Sequence, residues 1–351
     1  MPYPLHRGSA NKKVRVNTMG YKIGILGATG AVGREMIKCI EEYKLSVDEL
    51  RPFASARSVG KKLPFNGGEV TVTEATAESF TGLDFVLGAV GGGMAREYAP
   101  LVVKAGAVFI DNSSSFRMDP DVPLVVPEIN GDDAFKNKGI ISNPNCSTII
   151  TLMAIAAIAK LSPIKTMVAC TYQAASGAGQ KGIDDLLQQE EALMKGEEIV
   201  PTKFPTQLVR NVIPFIGAYK DNGYTDEEMK MQNEGRKILH MPDLKVTCTC
   251  VRVPVMRSHA ISVTLVPEKH LELDAVAAAI RTYPGVQLVE AGTEPRDYPT
   301  PVETSNQDDV YVGRIRRDLT NDDGITLWCC GDQIRKGAAA NAVQIMRLLM
   351  K

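Results

Sequence analysis

The feature that most constrains the fold of this chain is a glycine-rich segment near its beginning, "YKIGILGATGAVGREMIKCIEEY". An apolar run at residues 23–26 indicates a buried strand, and apolar residues at helical spacing follow the glycines. Gly27 permits a tight turn, Gly30 allows close approach of a pyrophosphate, and Gly33 lets the helix pack on the strand. The segment therefore predicts a dinucleotide-binding turn with the anion at a helix N-terminus, and a plain strand-to-helix turn is the alternative.

Strands and helices alternate after this turn as far as residue 146, which indicates an α/β domain with a doubly wound parallel sheet of the Rossmann type. Beyond that point the pattern changes to α+β, and the segments "KVTCTCVRVPV" and "HAISVTLV" are predicted to be antiparallel strands. The predicted units are a disordered leader at 1–19, a dinucleotide-binding domain at 20–146, a catalytic and dimerisation domain at 147–330, and a C-terminal helix at 331–351 that returns to the first domain.

Charge and hydropathy narrow the classes of partner. Lys and Arg number 40 and Asp and Glu number 41, so a net charge of -1 argues against nucleic acid or an anionic membrane surface. The longest apolar run, residues 149–159, is shorter than the roughly 20 residues that a bilayer requires. The opening "MPYPLHRGSANKKVRVNT" is basic but lacks the apolar stretch of a signal peptide. These patterns predict a cytoplasmic protein that acts on small molecules.

The cysteines indicate reduced thiols rather than a structural framework. The chain has 7 of them, an odd number, and their spacing matches no disulfide scaffold. Cys248 and Cys250 form C-x-C, and Cys329 and Cys330 are adjacent, so neither pair has the spacing of a structural zinc site. We therefore expect no bound metal.

The loop after the second predicted strand bears on the choice of cofactor. A site specific for NAD would place a carboxylate there, but the sequence "SARSVGKK" offers Ser55, Arg57 and Ser58 instead. These donors suit a ribose 2′-phosphate and favour NADP, and a solvated basic loop is the alternative. At the glycine turn, the residues predicted to bind the cofactor are Gly27, Thr29, Gly30, Ala31, Val32 and Gly33.

A single cysteine stands where a helix is predicted to begin, in "SNPNCSTII". Asn145 is a plausible N-cap, and the positive end of the helix would lower the pKa of the Cys146 thiol. Most free cysteines are small, buried, apolar side chains, but that role suits the polar neighbours of Cys146 poorly. A thiolate beside a nicotinamide indicates acyl chemistry, in which a thioester or thiohemiacetal exchanges hydride with the cofactor.

That chemistry needs a residue that acts as general acid and base. The arginines near these motifs also indicate that the substrate is an anion. Of 4 histidines, His259 begins a predicted strand close to two arginines, although its parity with apolar neighbours also allows a core histidine. Arg117 and Arg252 could each bind a carboxylate or phosphate bidentately, or could form ordinary surface ion pairs.

Taken together, the motifs resemble aspartate-semialdehyde dehydrogenases of the bacterial type from about residue 21 to the end. The segments in family order are "GILGATGAVG", "DNSSSFRMDPDVPLVVPEIN", "SNPNCSTI", "TYQAASGAG", "EEMK", "RVPVMRSHA" and "RKGAAANA". The resemblance implies reversible conversion of L-aspartate 4-semialdehyde, NADP and phosphate into L-4-aspartyl phosphate and NADPH. It also implies a place in lysine, threonine and methionine biosynthesis, and a homodimer or homotetramer.

The resemblance also assigns roles residue by residue. It implies a catalytic group with Cys146 as nucleophile, His259 as acid/base, Gln173 orienting the acyl intermediate and Asn145 beside the nucleophile. The implied substrate residues are Arg252 for the α-carboxylate, Glu227 for the amine, and Arg117 and Lys230 for phosphate. Near the nicotinamide it implies Ser176, Gly177, Gly179 and Gln333, the last standing where many relatives have asparagine. Thr225 and Glu228 form a predicted capping box, which leaves Glu227 free.

Two related reductases and one non-catalytic class are the alternatives. N-acetylglutamyl-phosphate reductases usually have tyrosine and proline after the cysteine, where this chain has Ser147 and Thr148. Malonyl-CoA reductases are closer to an archaeal branch, whereas "TYQAASGAGQKGIDDL" looks bacterial. A dinucleotide-binding sensor would need the glycine turn but neither Cys146 nor the arginines.

Overall fold

A computed structural model describes residues 20–290, 292 and 296–350, so the predicted leader lies outside the described residues. The first part of the chain forms a five-stranded parallel sheet, as the alternating pattern predicted. In spatial order its strands are β2 (Val47–Phe53), β1 (Tyr21–Leu26), β5 (Phe85–Gly88), β6 (Val108–Asp111) and β7 (Ile140–Ser142). A hairpin and three helices accompany it: β3 (Lys62–Phe65), β4 (Gly68–Thr71), α1 (Ala31–Glu42), α2 (Gly92–Lys104) and α3 (Pro127–Asn130).

The glycine turn joins β1 to α1 with almost no spare room. Gly27 has a φ of +78°, which favours glycine, and a Cβ there would lie 2.3 Å from the Ala89 carbonyl oxygen. A Cβ on Gly33 would lie 2.3 Å from the Gly27 carbonyl oxygen. These two positions therefore tolerate no side chain, which explains the tight strand–turn–helix packing that the sequence predicted.

The second part of the chain forms a six-stranded mixed sheet. In spatial order its strands are β11 (Val286–Leu288), β12 (Val310–Arg317), β13 (Ile325–Gly331), β10 (His259–Pro267), β8 (Ile164–Gln173) and β9 (Lys245–Arg252). Its helices are α4 (Cys146–Leu161), α5 (Gln180–Lys195), α6 (Asp226–Ile238), α7 (Leu273–Arg281) and α8 (Pro301–Thr304). Helix α4 is buried from Ser147 to Ile158 and forms the centre of this core.

The segments "KVTCTCVRVPV" and "HAISVTLV" form β9 and β10, which run antiparallel, as predicted, but do not pair with each other. Strand β8 lies between them, parallel to β9 and antiparallel to β10. Helices α5 and α6 separate β8 from β9 in sequence and supply the long crossover that a parallel pair requires. As a result Gln173 pairs with Arg252 at the end of the two strands, which brings two predicted site residues together.

The C-terminal helix α9 (Ala340–Leu349) packs against the first sheet. Its residues Val343 and Met346 share a buried cluster with Ile23 and Ile25 of β1. Within the described part of the chain, no helix is both long and apolar enough to cross a membrane.

Candidate active site

A cleft of about 510 Å³ lies where the two sheets meet, and it brings together most of the predicted site residues. The predicted residues that line it are Gly30, Ala31, Val32, Arg117, Asn145, Cys146, Gln173, Ser176, Gly177, Gly179, Glu227, Lys230, Arg252 and Gln333. Ligands of open α/β sheets bind at the carboxyl ends of the strands, and the cleft lies at such an edge.

Cys146 is the first residue of α4, and Asn145 is the N-cap that the sequence predicted. The Asn145 Oδ1 atom accepts the backbone N–H groups of Ser147 at 3.1 Å and Thr148 at 3.3 Å. These bonds satisfy donors that a helix N-terminus otherwise leaves unpaired. They fix the backbone of Cys146, so the thiol projects into the cleft from a rigid position.

His259 lies directly beside the thiol. Its Nε2 atom is 3.4 Å from the Cys146 sulfur, and its Nδ1 atom accepts the Ala174 N–H at 3.0 Å. Burial, followed by the Arg252 guanidinium, lowers the pKa of His259 to about 3, so the ring is neutral at physiological pH. The ring is fully buried, but its Nε2 atom contacts the Cys146 sulfur, so His259 is not simply a core histidine.

The expected lowering of the thiol pKa was wrong for this structure. Burial and then the nearby Glu227 carboxylate raise the pKa of Cys146 to about 12. Arg252, Arg117 and Lys230 act in the opposite direction without reversing the shift. Helix position alone suggested a thiolate, but folding adds desolvation and a buried carboxylate. The thiol is therefore protonated at neutral pH, and its proton must leave when it acts as a nucleophile.

Glu227 is the centre of a polar cluster on one wall of the cleft. Its carboxylate accepts hydrogen bonds from Asn145 Nδ2 at 3.0 Å, Gln173 Nε2 at 3.2 Å and Lys230 Nζ at 2.8 Å. Burial raises the pKa of Glu227, but the Lys230 ammonium and these hydrogen bonds outweigh it and hold the pKa at about 2. The predicted capping box of α6 is present, and it leaves this carboxylate free to face the cleft.

Arg252 is buried at the end of β9, so it is not a surface ion pair. Its Nη1 atom donates to the Ala174 carbonyl oxygen at 2.6 Å, and its guanidinium lies 5.8 Å from the centre of the Phe204 ring. The hydrogen bond and the aromatic face fix the plane of the guanidinium. A planar fork held in this way can bind a carboxylate bidentately.

Arg117 is also buried, and its partners include a residue that the sequence reasoning missed. Nε donates to the Asn143 carbonyl oxygen at 3.0 Å and Nη2 to that of Asn112 at 2.8 Å, while Nη1 forms an ion pair with Glu234 at 3.0 Å. Glu234 also accepts the Asn145 N–H at 2.7 Å. This buried carboxylate therefore links Arg117, the predicted phosphate residue, to Asn145, the N-cap of α4. Helical spacing from the predicted residues of α6 could have identified it.

Gly337 is a second residue that the sequence reasoning missed. It lies in a π-helical turn, Arg335–Ala339, against the start of α4. A Cβ at this position would lie 2.9 Å from the Cβ of Cys146. The run of small residues in "RKGAAANA" was the available signal, because a backbone that passes this close to a nucleophile excludes side chains.

The residues near the glycine turn fit a dinucleotide. Helix α1 begins after Gly30 without a side-chain cap, and Gly30, Ala31 and Val32 line the cleft. The N–H groups of an uncapped first turn are free to bind a pyrophosphate. Ser55, Arg57 and Ser58 belong to the short turn after β2 and lie beyond the cleft lining.

Gln333 lines the cleft, but protein groups already engage both ends of its amide. Its Oε1 atom accepts the Ser258 N–H at 2.7 Å, and its Nε2 atom donates to the Ser176 hydroxyl. Gln333 thus joins the loop after β8 to Ser258, the residue that precedes His259. Its contact with the cofactor stays a prediction.

Comparisons with known proteins cover both parts of the chain. Residues 22–137 match the family model of the semialdehyde dehydrogenase NAD-binding domain, and residues 155–336 match that of the semialdehyde dehydrogenase dimerisation domain. The aspartate-semialdehyde dehydrogenase of Aquifex aeolicus is 47% identical, and the match covers 95% of this chain and 99% of the relative. The Bacillus subtilis enzyme of the same name is 43% identical over 95% of this chain and 98% of its own.

A solved structure shows the same architecture. The crystal structure of aspartate semialdehyde dehydrogenase II from Vibrio cholerae, complexed with ASA, superposes with a TM-score of 0.91. It is 41% identical, and the match covers 94% of this chain and 98% of that one.

The two matched domains and the cleft between them define an oxidoreductase that acts on aldehydes with a nicotinamide dinucleotide. More narrowly, the chain belongs to the aspartate-semialdehyde dehydrogenase family. The resemblance seen in the motifs is thereby confirmed, and the similar proteins favour it over the two related reductases and the non-catalytic sensor.

Proposed function

We propose that this protein converts L-4-aspartyl phosphate reversibly into L-aspartate 4-semialdehyde and phosphate, with NADPH as the reductant. The observation that carries the proposal is a cleft in which the Cys146 sulfur lies 3.4 Å from His259 and two buried arginines, Arg117 and Arg252, line the wall. Two separate guanidinium groups suit a substrate that carries both a carboxylate and a phosphate. The product would enter lysine, threonine and methionine biosynthesis in the cytoplasm.

Each group of side chains has a task in this reaction. Cys146 attacks the acyl carbon and forms a thioester, while the bound nicotinamide would supply the hydride. Arg252 binds the α-carboxylate, and Glu227 binds the ammonium group. Arg117 and Lys230 hold the phosphate. Gln173 and Asn145 both donate hydrogen bonds to the Glu227 carboxylate and keep it oriented toward the substrate.

The direct test is a spectrophotometric assay of the purified full chain with aspartate semialdehyde, NADP and phosphate. We expect NADPH to form and its formation to require phosphate. Parallel reactions with N-acetylglutamate semialdehyde, and with malonate semialdehyde plus coenzyme A, separate the two related reductases. Turnover of either compound above that of aspartate semialdehyde would overturn the proposal.

We further propose NADP over NAD, because the turn after β2 presents Ser55 and an exposed Arg57 where a carboxylate would bind a free ribose hydroxyl. Loss of a charge-assisted hydrogen bond typically costs about 1.5–3 kcal/mol. Because Arg57 is exposed, we expect Arg57→Ala to raise KM for NADP about 10-fold, the lower end of that range. KM for NAD should change much less.

Steady-state kinetics with each cofactor measure this difference, and Arg96→Ala, at an exposed position on α2, is the matched control. The control should leave both KM values near those of the unmodified protein. Equal use of NAD and NADP by the unmodified protein would contradict the proposal.

The outer face of the second sheet supports a homodimer. Val168 and Tyr172 of β8 are 53% and 37% exposed, and Tyr172 packs against Trp328 at a ring distance of 5.5 Å. The match to a dimerisation domain supports a second copy as the occupant of this apolar face. We expect light scattering after size exclusion to give the mass of two chains or, for a tetramer, four. A monomer at micromolar concentration would contradict this.

A further inference from the structure

Helix α6 presents a row of charged residues on one face. Glu227, Lys230, Glu234 and Lys237 follow one another at intervals of three or four residues, which places them side by side along the helix. The first two are the predicted binding residues for the substrate amine and for phosphate. The other two contact the segment that carries Arg117. One helix face therefore reaches both cations of the proposed phosphate site.

Arg117 lies in a connection that has little regular structure. Residues 112–123, between β6 and α3, form neither helix nor strand, so no ladder of backbone hydrogen bonds fixes them. The guanidinium is buried, and within the described residues three of its five N–H donors have protein acceptors. Two donors are left for a ligand. Their direction depends on what holds the arginine at its backbone and at its tip.

Lys237 holds the backbone of this segment. Its Nζ atom donates to the carbonyl oxygens of Arg117 at 2.8 Å, Asp119 at 2.7 Å and Val122 at 2.8 Å. An ammonium has three donors, so one loop uses all of them. Three acceptors that converge on one nitrogen suit lysine, whereas the planar fork of an arginine cannot meet them together. Lys237 is therefore a clamp on the backbone and not a ligand for phosphate.

Glu234 holds the tip of Arg117. It is 2% exposed, and its Oε1 atom accepts from Arg117 Nη1 at 3.0 Å while its Oε2 atom accepts the Asn145 N–H at 2.7 Å. Arg117 and Lys230 line the same cleft, where like charges repel and a buried charge without a partner is costly. Glu234 supplies the opposite charge to Arg117, as Glu227 does to Lys230. Each cation of the proposed phosphate site thus has its own carboxylate from α6.

We propose that Glu234 and Lys237 are positioning residues for phosphate, which fix the direction of the Arg117 donors without contacting the anion themselves. The inference rests on the proposed function, in which Arg117 binds phosphate. Lys237 acts on the Arg117 loop alone. Glu234 also accepts the Asn145 N–H at the cap of α4, so it connects the phosphate site to the start of the helix that carries the nucleophile.

The two residues are expected to give different kinetic patterns. Lys237→Met removes the clamp and leaves Glu234 in place, so KM for phosphate should rise roughly 10-fold, as for one charge-assisted hydrogen bond. KM for aspartate semialdehyde should change less than about 2-fold, because its proposed binding residues are not partners of Lys237. Glu234→Gln is isosteric, but its amide presents one acceptor oxygen where the carboxylate presents two. It should raise KM for phosphate and also lower kcat, since either Arg117 or the Asn145 N–H loses its acceptor.

Steady-state assays of the purified full chain, in the direction that consumes phosphate, measure each KM with the other substrates saturating. A variant that merely loses stability has less active protein, which lowers the apparent kcat and leaves KM for phosphate unchanged. Calorimetric titration of inorganic phosphate in the presence of saturating NADP measures the same affinity without turnover. Lys104→Met and Glu97→Gln, both exposed on α2, are the matched controls and should bind phosphate like the unmodified protein.

Unchanged phosphate affinity in Lys237→Met would overturn the inference. An equal rise in KM for aspartate semialdehyde would also overturn it, because the whole cleft would then be disturbed. If the buried variant Glu234→Gln fails to fold, Lys237→Met decides the outcome, since this side chain is only partly buried. The proposed function fails separately: without NADPH formation by the unmodified protein the activity is rejected, while calorimetry still compares phosphate affinities. An unmodified protein that binds no phosphate would overturn both.

Discussion

Cys146→Ser is expected to abolish turnover while the protein still binds NADP. A serine hydroxyl at the start of α4 stays largely protonated at neutral pH and is a much weaker nucleophile than a thiol. Loss of a nucleophile can lower kcat by several orders of magnitude, so we expect a decrease of roughly 10⁴-fold or more. The NADPH assay measures turnover, and a fluorescence titration measures the affinity for NADP. We expect that affinity to change less than about 3-fold, which corresponds to under about 1 kcal/mol of binding free energy.

Cys170→Ser is the matched control, because Cys170 is a half-buried thiol on β8 that the proposed reaction does not use. This variant should keep most of the activity. Retention of most turnover by Cys146→Ser, or by a protein whose Cys146 is fully alkylated according to peptide mapping, would refute the thioester mechanism. The protein would then be interpreted as one that binds a dinucleotide without catalysing this reaction.

The second large effect on activity is expected from substitution of Arg252 or Arg117. We expect these two arginines to bind different substrates. Arg252→Lys keeps the charge but loses the planar fork and the contact with the Phe204 ring. We expect kcat/KM for aspartate semialdehyde to fall roughly 10- to 100-fold, as for the loss of one charge-assisted hydrogen bond. Arg117→Lys should instead raise KM for phosphate, because Arg117 and Lys230 line the same cleft and are the predicted phosphate residues.

Both variants keep a positive charge in the cleft, so neither leaves the buried Glu234 or Glu227 without a cation nearby. Arg347→Lys, at an exposed position on α9, controls for the substitution itself. Each constant is measured with the other substrate saturating. If Arg117→Lys left KM for phosphate unchanged, or if both variants affected the two substrates alike, the separation of the anion sites would be wrong.

The predictions that succeeded from sequence rest on local physical chemistry. The glycine turn, the Asn145 cap and the capping box of α6 each depend on residues that are close in sequence. The parallel sheet followed from the alternation of strands and helices along the chain. In each case the pattern is readable because neighbouring residues alone produce it.

The features that the sequence missed depend on distant residues. The sequence left open that β8 lies between β9 and β10, because a long crossover can return to either side of β8. The pKa of Cys146 was predicted from its helix terminus, yet burial and Glu227 control it. Both features are set by tertiary packing rather than by a local preference.

By itself, then, the sequence determined the dinucleotide turn, the position of the thiol at a helix start and the family to which the chain belongs. Only the tertiary structure decided which groups surround those residues and how they are protonated. It set the thiol 3.4 Å from His259, turned Nδ1 of that ring to the Ala174 N–H, and joined Arg117 to Asn145 through Glu234. Protonation states and hydrogen-bond partners depend on charge and desolvation from several elements at once, and a linear pattern does not contain those distances.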